Sequence, residues 1–155
     1  RNKNLIFGYN SRLDTIQAVV ANHLLNEIKN ITKKRIRNSL YLEKRLKFLN
    51  GLIFKERSKH LVEVFHLYEF RLQNYKLREP LVKYLRKNNI DAKIHYPIPM
   101  HLQPAAKKYS YKKGDFPICE KIAKSTVSLP VHEHLKKKNL DKMISKIKFF
   151  MNKES

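Results

Sequence analysis

Apolar residues recur at helical spacing over the first third of the chain and predict two consecutive helices. The first helix follows a turn at Phe7–Arg12, in which Ser11 is the candidate N-cap residue. A break at 30–32 makes Thr32 the candidate cap of the second helix, which ends at the Asn50-Gly51 pair. This pattern predicts a helical hairpin. The two apolar stripes consist of Leu13, Ile16, Val20, Leu24, and then Ile36, Leu40, Leu42, Leu46 and Leu49.

The rest of the chain alternates short strand and helix patterns. The stretch 61–72 predicts a strand covered on both faces, because apolar residues occupy both sets of alternating positions. Few strands among several helices predict an α+β domain with a small antiparallel sheet and flanking helices. We therefore divide the chain into a helical segment, 1–50, and a small α+β domain, 51–155. The further elements expected are a helix at 78–87, a strand at 90–96, a helix at 117–123, an edge strand at 126–130 and a last helix from 139.

A proline-rich stretch at 94–106 is expected to be a stiff loop. It contains three prolines within eight residues, and each removes an amide donor and restricts the residue before it. Such a loop presents side chains, here His95, Tyr96, His101 and Gln103, although composition alone favours a rigid connector between two elements.

Composition and charge narrow the possible functions. The chain has 155 residues, 42% of them hydrophobic, and a net charge of +21, which is compatible with binding to nucleic acid. The basic residues are spread over the chain, however, and no RNP, zinc-finger or homeodomain pattern occurs. The single Cys119, expected to be a buried thiol, excludes a disulfide framework, and no apolar run suggests a membrane span. The single cysteine fits a reducing compartment, so we expect a cytoplasmic protein. We also expect no metal site, because no carboxylates cluster with His132 and His134.

Three blocks of sequence resemble the DegT/DnrJ/StrS family of sugar aminotransferases. The first block is Gly-Tyr-Asn-Ser-Arg-Leu-Asp at 8–14, followed by Gln-Ala at 17–18. The second block is the His-Tyr-Pro-x-Pro-x-His-x-Gln-Pro-Ala loop at 95–105. The third consists of Gly-Asp-Phe-Pro at 114–117, Glu120, Ala123 and Ser-Leu-Pro at 128–130. The blocks occur in the order and spacing of the family and cover nearly the whole chain.

The resemblance implies a fold-type-I enzyme that uses pyridoxal 5'-phosphate to move an amino group from glutamate to a nucleotide-linked keto-deoxysugar, as a homodimer. In the family, the Schiff-base lysine precedes the first block, and none of the lysines here stands in a matching context. The chain therefore resembles the carboxy-terminal small domain and the helices that lead into it. We expect it to be inactive in transamination on its own.

The resemblance also implies roles for individual residues. Asn10 matches the residue that reaches the cofactor phosphate of the neighbouring subunit, and Arg12 could bind phosphate or fix the interface. His95 and Tyr96 match the pair that faces the sugar nucleotide, whereas His101 and Gln103 are expected to brace the loop. Two other classes stay open: a non-catalytic interaction module that pairs with a separately encoded half, and a basic nucleic-acid-binding domain.

Overall fold

A computed structural model of the protein describes residues 3–9 and 11–154, and it contains the helices and the sheet of an α+β fold. None of the helices within these residues is long and apolar enough to cross a membrane. Short 3-10 turns lie at Tyr75–Leu77, Met100–Leu102 and Pro104–Tyr109. The main elements are α1 (Thr15–Leu25), α2 (Ile28–Leu46), β1 (Leu52–Ile53), β2 (Tyr68–Leu72), α3 (Arg78–Lys87), α4 (Pro117–Ser125), β3 (Thr126–Leu129) and α5 (Lys137–Lys153).

The strands form a three-stranded antiparallel sheet in the order β1-β2-β3. An isolated bridge between Lys93 and Ser128 extends the sheet beyond β3, with both backbone hydrogen bonds at 2.9 Å. The predicted α+β class with a small antiparallel sheet is confirmed.

The two faces of the sheet differ in polarity. Successive side chains of a strand point to opposite faces, and directly paired residues of neighbouring strands point to the same face. Tyr68, Phe70 and Leu72 of β2 share one face with Val127 and Leu129 of β3, and all of them are buried. This apolar face packs against α2, α3 and α5 in a single hydrophobic core. The helical residues of that core are Leu42, Leu46, Leu81, Val82, Leu85, Leu140, Met143, Ile144, Ile147, Phe150 and Met151.

The opposite face of the sheet is polar, and it carries Glu69, Arg71, Thr126 and Ser128. Thr126 and Ser128 are nevertheless buried, whereas Glu69 is exposed. The proline-rich loop meets this face through the Lys93–Ser128 bridge, and α4 runs directly into β3. The polar face of the sheet thus positions the candidate site.

The predicted helical hairpin takes a different form in the structure. Helices α1 and α2 are separated only by Asn26 and Glu27, which both have right-handed helical dihedral angles. The break therefore lies before residue 28 rather than at 30–32, and the predicted cap Thr32 is inside α2. No residue of α1 is buried, and α1 does not pack along α2.

The N-terminus of α1 also differs from the sequence expectation. Asp14, and not Ser11, caps the helix: its Oδ1 accepts a hydrogen bond from the backbone N–H of Gln17 at 2.8 Å. The Gln17 side chain donates to the second carboxylate oxygen of Asp14 at 2.7 Å. Asp14 lies directly before the first helical turn, whereas Ser11 is too far from it to reach its free N–H groups.

The predicted strands are only partly correct. The strand expected at 61–72 is reduced to β2, and Val62, Val64 and His66 are exposed outside it. Burial in β2 alternates, so that the strand is not covered equally on both faces. The strand expected at 90–96 consists of the single bridge at Lys93, because prolines follow immediately. The boundaries of α3 agree with the prediction, and α5 begins at Lys137, two residues before the predicted start at 139.

Candidate functional site

A groove of about 1010 Å³ lies between the proline-rich loop and α4, on the polar side of the sheet. Its walls are mainly apolar, with a few polar groups that converge on it, which is the ordinary composition of a small-molecule site. The lining residues are Asn4, His95, Tyr96, Ile98, Pro99, Met100, Gln103, Asp115, Phe116, Pro117, Ile118, Cys119, Ile122, Ala123 and Thr126.

Buried Gln103 braces the loop that forms one wall of the groove. Its Oε1 accepts a hydrogen bond from the backbone N–H of Asn4 at 2.9 Å, and its Nε2 donates to the carbonyl of Ile98 at 3.2 Å. The backbone N–H of Ala105 donates to the carbonyl of Asn4 at 2.8 Å. Gln103 therefore ties the loop to the segment before α1, which agrees with the bracing role expected for it.

A second brace connects the loop with the start of α4. One oxygen of Glu120, Oε1, accepts hydrogen bonds from the backbone N–H of Gly114 at 2.6 Å and from Nε2 of His101 at 3.1 Å. The ring of His101 packs against Phe116, with 4.8 Å between the centroids. The hydrogen bond from Gly114, and then that from His101, lower the pKa of the Glu120 carboxyl below its ordinary value despite its burial. These contacts hold the N-terminus of α4 against the loop.

His95 is half-buried at the edge of the groove and is connected to the sheet by side-chain hydrogen bonds. Its Nδ1 lies 3.1 Å from Oγ of Ser128, and this hydroxyl donates to Oε1 of Glu69 at 3.0 Å. The structure therefore places three polar side chains in a line that runs from β2 across β3 to the loop.

Tyr96 follows His95 through a cis peptide bond and is 70% exposed on the groove. The two rings meet edge to face, with 5.6 Å between their centroids. His95 and Tyr96 are thus brought together on one groove.

The residues predicted at the first block are not brought to the groove. Arg12 is exposed and does not line it. Asn10 lies outside the described residues, so its role as a phosphate-binding residue stays a prediction.

Sequence reasoning missed several residues of the groove and of its support. The expectation of a buried Cys119 is wrong: the thiol is exposed and lines the groove, because α4 turns its apolar Ile118, Cys119 and Ile122 edge outward. Ser128 belongs to the Ser-Leu-Pro block, but its contact with His95 depends on the bridge at Lys93. Glu69 gave no signal beyond being a polar position in a strand.

Two features that a cofactor or a metal ion would require are absent from the part of the chain that the structure describes. No lysine lines the groove, although lysine is abundant in the sequence. No cluster of three or more His, Cys, Asp or Glu side chains is arranged there to hold a metal ion.

Comparison with known proteins decides the family. The model of the DegT/DnrJ/EryC1/StrS aminotransferase family matches residues 1–148. The chain belongs to this family. The resemblance of its three blocks is thereby confirmed, since they all lie within the matched residues.

Individual members of the family are similar over nearly the whole chain. The erythromycin biosynthesis sensory transduction protein EryC1 of Saccharopolyspora erythraea is 30% identical over 141 residues, which are 91% of this chain and 38% of that protein. The dTDP-3-amino-3,6-dideoxy-alpha-D-galactopyranose transaminase of Aneurinibacillus thermoaerophilus is 31% identical over 147 residues, 94% of this chain and 38% of that enzyme. The chain thus spans well under half the length of these relatives.

The fold agrees with solved structures of the family. The crystal structure of S. venezuelae DesV in complex with a ketimine intermediate superposes with a TM-score of 0.83 at 28% identity, over 93% of this chain and 38% of DesV. The small antiparallel sheet with its helices is therefore a part of the aminotransferase fold.

Proposed function

We propose that the chain is the carboxy-terminal part of a cytoplasmic, pyridoxal-phosphate-dependent aminotransferase. The complete protein, meaning this chain with the portion that its relatives have in addition, transfers an amino group from glutamate to a nucleotide-linked keto-deoxysugar for polysaccharide or glycan biosynthesis. Membership of the aminotransferase family and transaminases of nucleotide sugars among its relatives support the reaction class. The observation that carries the proposal is the groove on which His95 and Tyr96 lie together.

The groove has the size and chemistry for a sugar. Its volume of about 1010 Å³ is near the upper end of the range for small-molecule sites. Apolar side chains of the loop and α4 offer contact surface to a deoxysugar, whose missing hydroxyl makes it less polar. The imidazole of His95 and the phenol of Tyr96 supply hydrogen-bonding groups that can distinguish the remaining hydroxyls.

The described residues do not make a binding site for pyridoxal phosphate. A lysine is required for covalent attachment of this cofactor, and none lines the groove. We therefore assign the Schiff-base lysine to the portion outside this chain, and the chain alone is inactive. Treatment of the chain with pyridoxal phosphate and borohydride is expected to label surface lysines at random. One stoichiometrically labelled lysine would contradict this assignment.

The exposed apolar surface before α2 supports a role for residues 1–50 in joining the small domain to the rest of the protein. Ile16, Val20 and Leu24 are largely exposed on α1, although their spacing is that of a helix with one buried side. We propose that this segment links the two domains and contributes to a homodimer interface. In that arrangement Asn10 and Arg12 would face the neighbouring subunit.

Substitutions of the pair on the groove test this proposal in the complete protein. Tyr96→Phe removes only a hydroxyl, and His95→Ala removes the imidazole. We expect each to raise the KM for the nucleotide sugar and to leave cofactor binding nearly unchanged, because the loop contacts substrate. Tyr75→Phe is the matched control, since Tyr75 is similarly exposed and does not line the groove. An unchanged KM in both His95→Ala and Tyr96→Phe would contradict the proposal.

A further inference from the structure

The side chains of Glu69, Ser128 and His95 form a chain of hydrogen-bond contacts across the polar face of the sheet. Glu69 and Ser128 are directly paired across β2 and β3, and Ser128 is bridged to Lys93. His95 lies two residues beyond Lys93, so its side chain returns to the same face of the sheet. This register explains why Oγ of Ser128 is 3.0 Å from Glu69 and 3.1 Å from His95.

The direction of these hydrogen bonds follows from the chemistry of the groups. A carboxylate oxygen can only accept, so the single hydroxyl proton of Ser128 points to Glu69. The hydroxyl oxygen can then only accept from His95, which requires a proton on Nδ1. The neighbouring Lys93 does not compete for Glu69, because its ammonium is paired with Asp91 at 2.8 Å. The hydrogen bond at 3.1 Å therefore selects the Nδ1–H tautomer of the neutral ring.

We propose that Ser128 and Glu69 are positioning residues that hold His95 as a hydrogen-bond acceptor towards the groove. With Nδ1 occupied by Ser128, Nε2 is the nitrogen left for a bound molecule, and it has no protein partner in the part of the chain that the structure describes. An unprotonated Nε2 accepts a hydrogen bond, so it binds a donor such as a sugar hydroxyl and not an unprotonated phosphate oxygen. This last step rests on the proposed function, whereas the tautomer does not.

Nitrogen-15 NMR of the imidazole rings in the 155-residue chain tests the tautomer directly. At about pH 8.5, well above the ordinary pKa of imidazole, we expect protonated Nδ1 and unprotonated Nε2 shifts for His95. A free imidazole favours the opposite tautomer, so the expected pattern is distinctive. Protonated Nε2 in the unmodified chain would overturn the proposal.

Two variants and a control test whether Ser128 and Glu69 determine the tautomer of His95. Ser128→Ala removes the acceptor, and the His95 shifts should move towards the Nε2–H pattern. Glu69→Ala keeps the buried hydroxyl of Ser128 but frees its proton for Nδ1, so this substitution at an exposed position should give the same inversion. Ser125→Ala is the matched control, because Ser125 is also buried but donates to the carbonyl of Lys121. His95 shifts that stay unchanged in Glu69→Ala would overturn the positioning role.

Kinetics of the complete protein separate this inference from the proposed function. If Nε2 accepts from the sugar, Ser128→Ala should raise the KM for the nucleotide sugar roughly 5-fold or more, with a smaller change in kcat. An inverted tautomer with an unchanged KM would keep the positioning of His95 but overturn its contact with the sugar. An unchanged tautomer with a raised KM would overturn the positioning instead.

Discussion

Two regions of the molecule use apolar residues in opposite ways. In the packed body, residues 28–154, the apolar residues of α2, α3 and α5 that meet the sheet, such as Leu42, Leu85 and Ile147, are buried. In the N-terminal segment, described for residues 3–9 and 11–25, the large apolar residues of α1 are exposed to solvent. Ile147 of α5 is 0% exposed, whereas Ile16 of α1 is 80% exposed.

The difference shows that an apolar stripe predicts that a helix has a partner without identifying that partner. The body contains both partners of each contact, such as α2 with α5 and α3 with β3. The N-terminal segment is held by backbone contacts at Asn4, but α1 has no such neighbour in the described chain. Since the relatives are much longer than this chain, the covering surface for α1 is expected in the portion they have in addition.

The largest effect is expected from the same substitution made in both regions. Ile147→Ala should lower the free energy of unfolding by about 2–5 kcal/mol, because it removes buried methyl groups and leaves a cavity. Ile16→Ala should change it by less than about 0.5 kcal/mol, because the side chain is already in water. Urea unfolding of both variants measures the contrast. Equal destabilisation would show that α1 is packed in solution and would remove the distinction between the regions.

The body was also the part of the fold that sequence reasoning predicted well. The limits of α3 and the presence of α5 were predicted from the sequence pattern, and the packing partners of both helices lie within the chain. The stretch 61–67 was misassigned because its apolar residues, such as Val62 and Val64, alternate like a strand but have no strand beside them. Pairing between strands is a long-range property that local patterns do not contain.

The candidate site was predictable to a similar extent. His95 and Tyr96 were predicted as site residues from a sequence motif, and the structure places both on one groove. Their support by Ser128 and Glu69 was not predictable, because it depends on a register that joins residues 33 and 59 positions apart. The exposed position of Cys119 likewise depends on which edge of α4 the rest of the fold covers.

The second prediction tests whether the N-terminal segment acts on the cofactor. In the complete protein, Asn10→Ala should weaken cofactor retention by about 1–3 kcal/mol, since one buried hydrogen bond to phosphate would be lost. The effect should depend on dimerisation, because Asn10 is expected to serve the neighbouring subunit. Equilibrium dialysis of the cofactor at protein concentrations above and below the dimer dissociation constant measures both effects.

Controls for Asn10→Ala come from the body. Asn152→Ala makes the same change at an exposed position of α5 and should leave cofactor retention unchanged. His95→Ala should alter the KM for the sugar and not cofactor retention. If Asn10→Ala and His95→Ala had the same phenotype, the division of roles between segment and body would be wrong.

The smallest effect is expected at the brace between the loop and α4, within the body. The pKa of Glu120 is lowered in the folded protein, chiefly by the hydrogen bond from Gly114. A carboxyl with a lowered folded pKa stabilises the protein fully above its unfolded pKa, and this contribution is lost as the pH falls through the folded pKa. Glu120→Gln should therefore be less stable than the unmodified chain at pH near 7, and the difference should shrink at about pH 3.

Urea unfolding at both pH values measures the difference, with Glu56→Gln as the control. Glu56 is exposed, so that removing its charge should leave the pH dependence of stability nearly unchanged. Glutamine keeps the size of Glu120 and can still accept from Gly114, but a neutral oxygen accepts more weakly than a carboxylate. A difference between Glu120→Gln and the unmodified chain that stayed constant with pH would show that the side chain acts through packing and not through its charge. The Gly114 and His101 contacts would then brace the loop without the electrostatic contribution inferred from the lowered pKa.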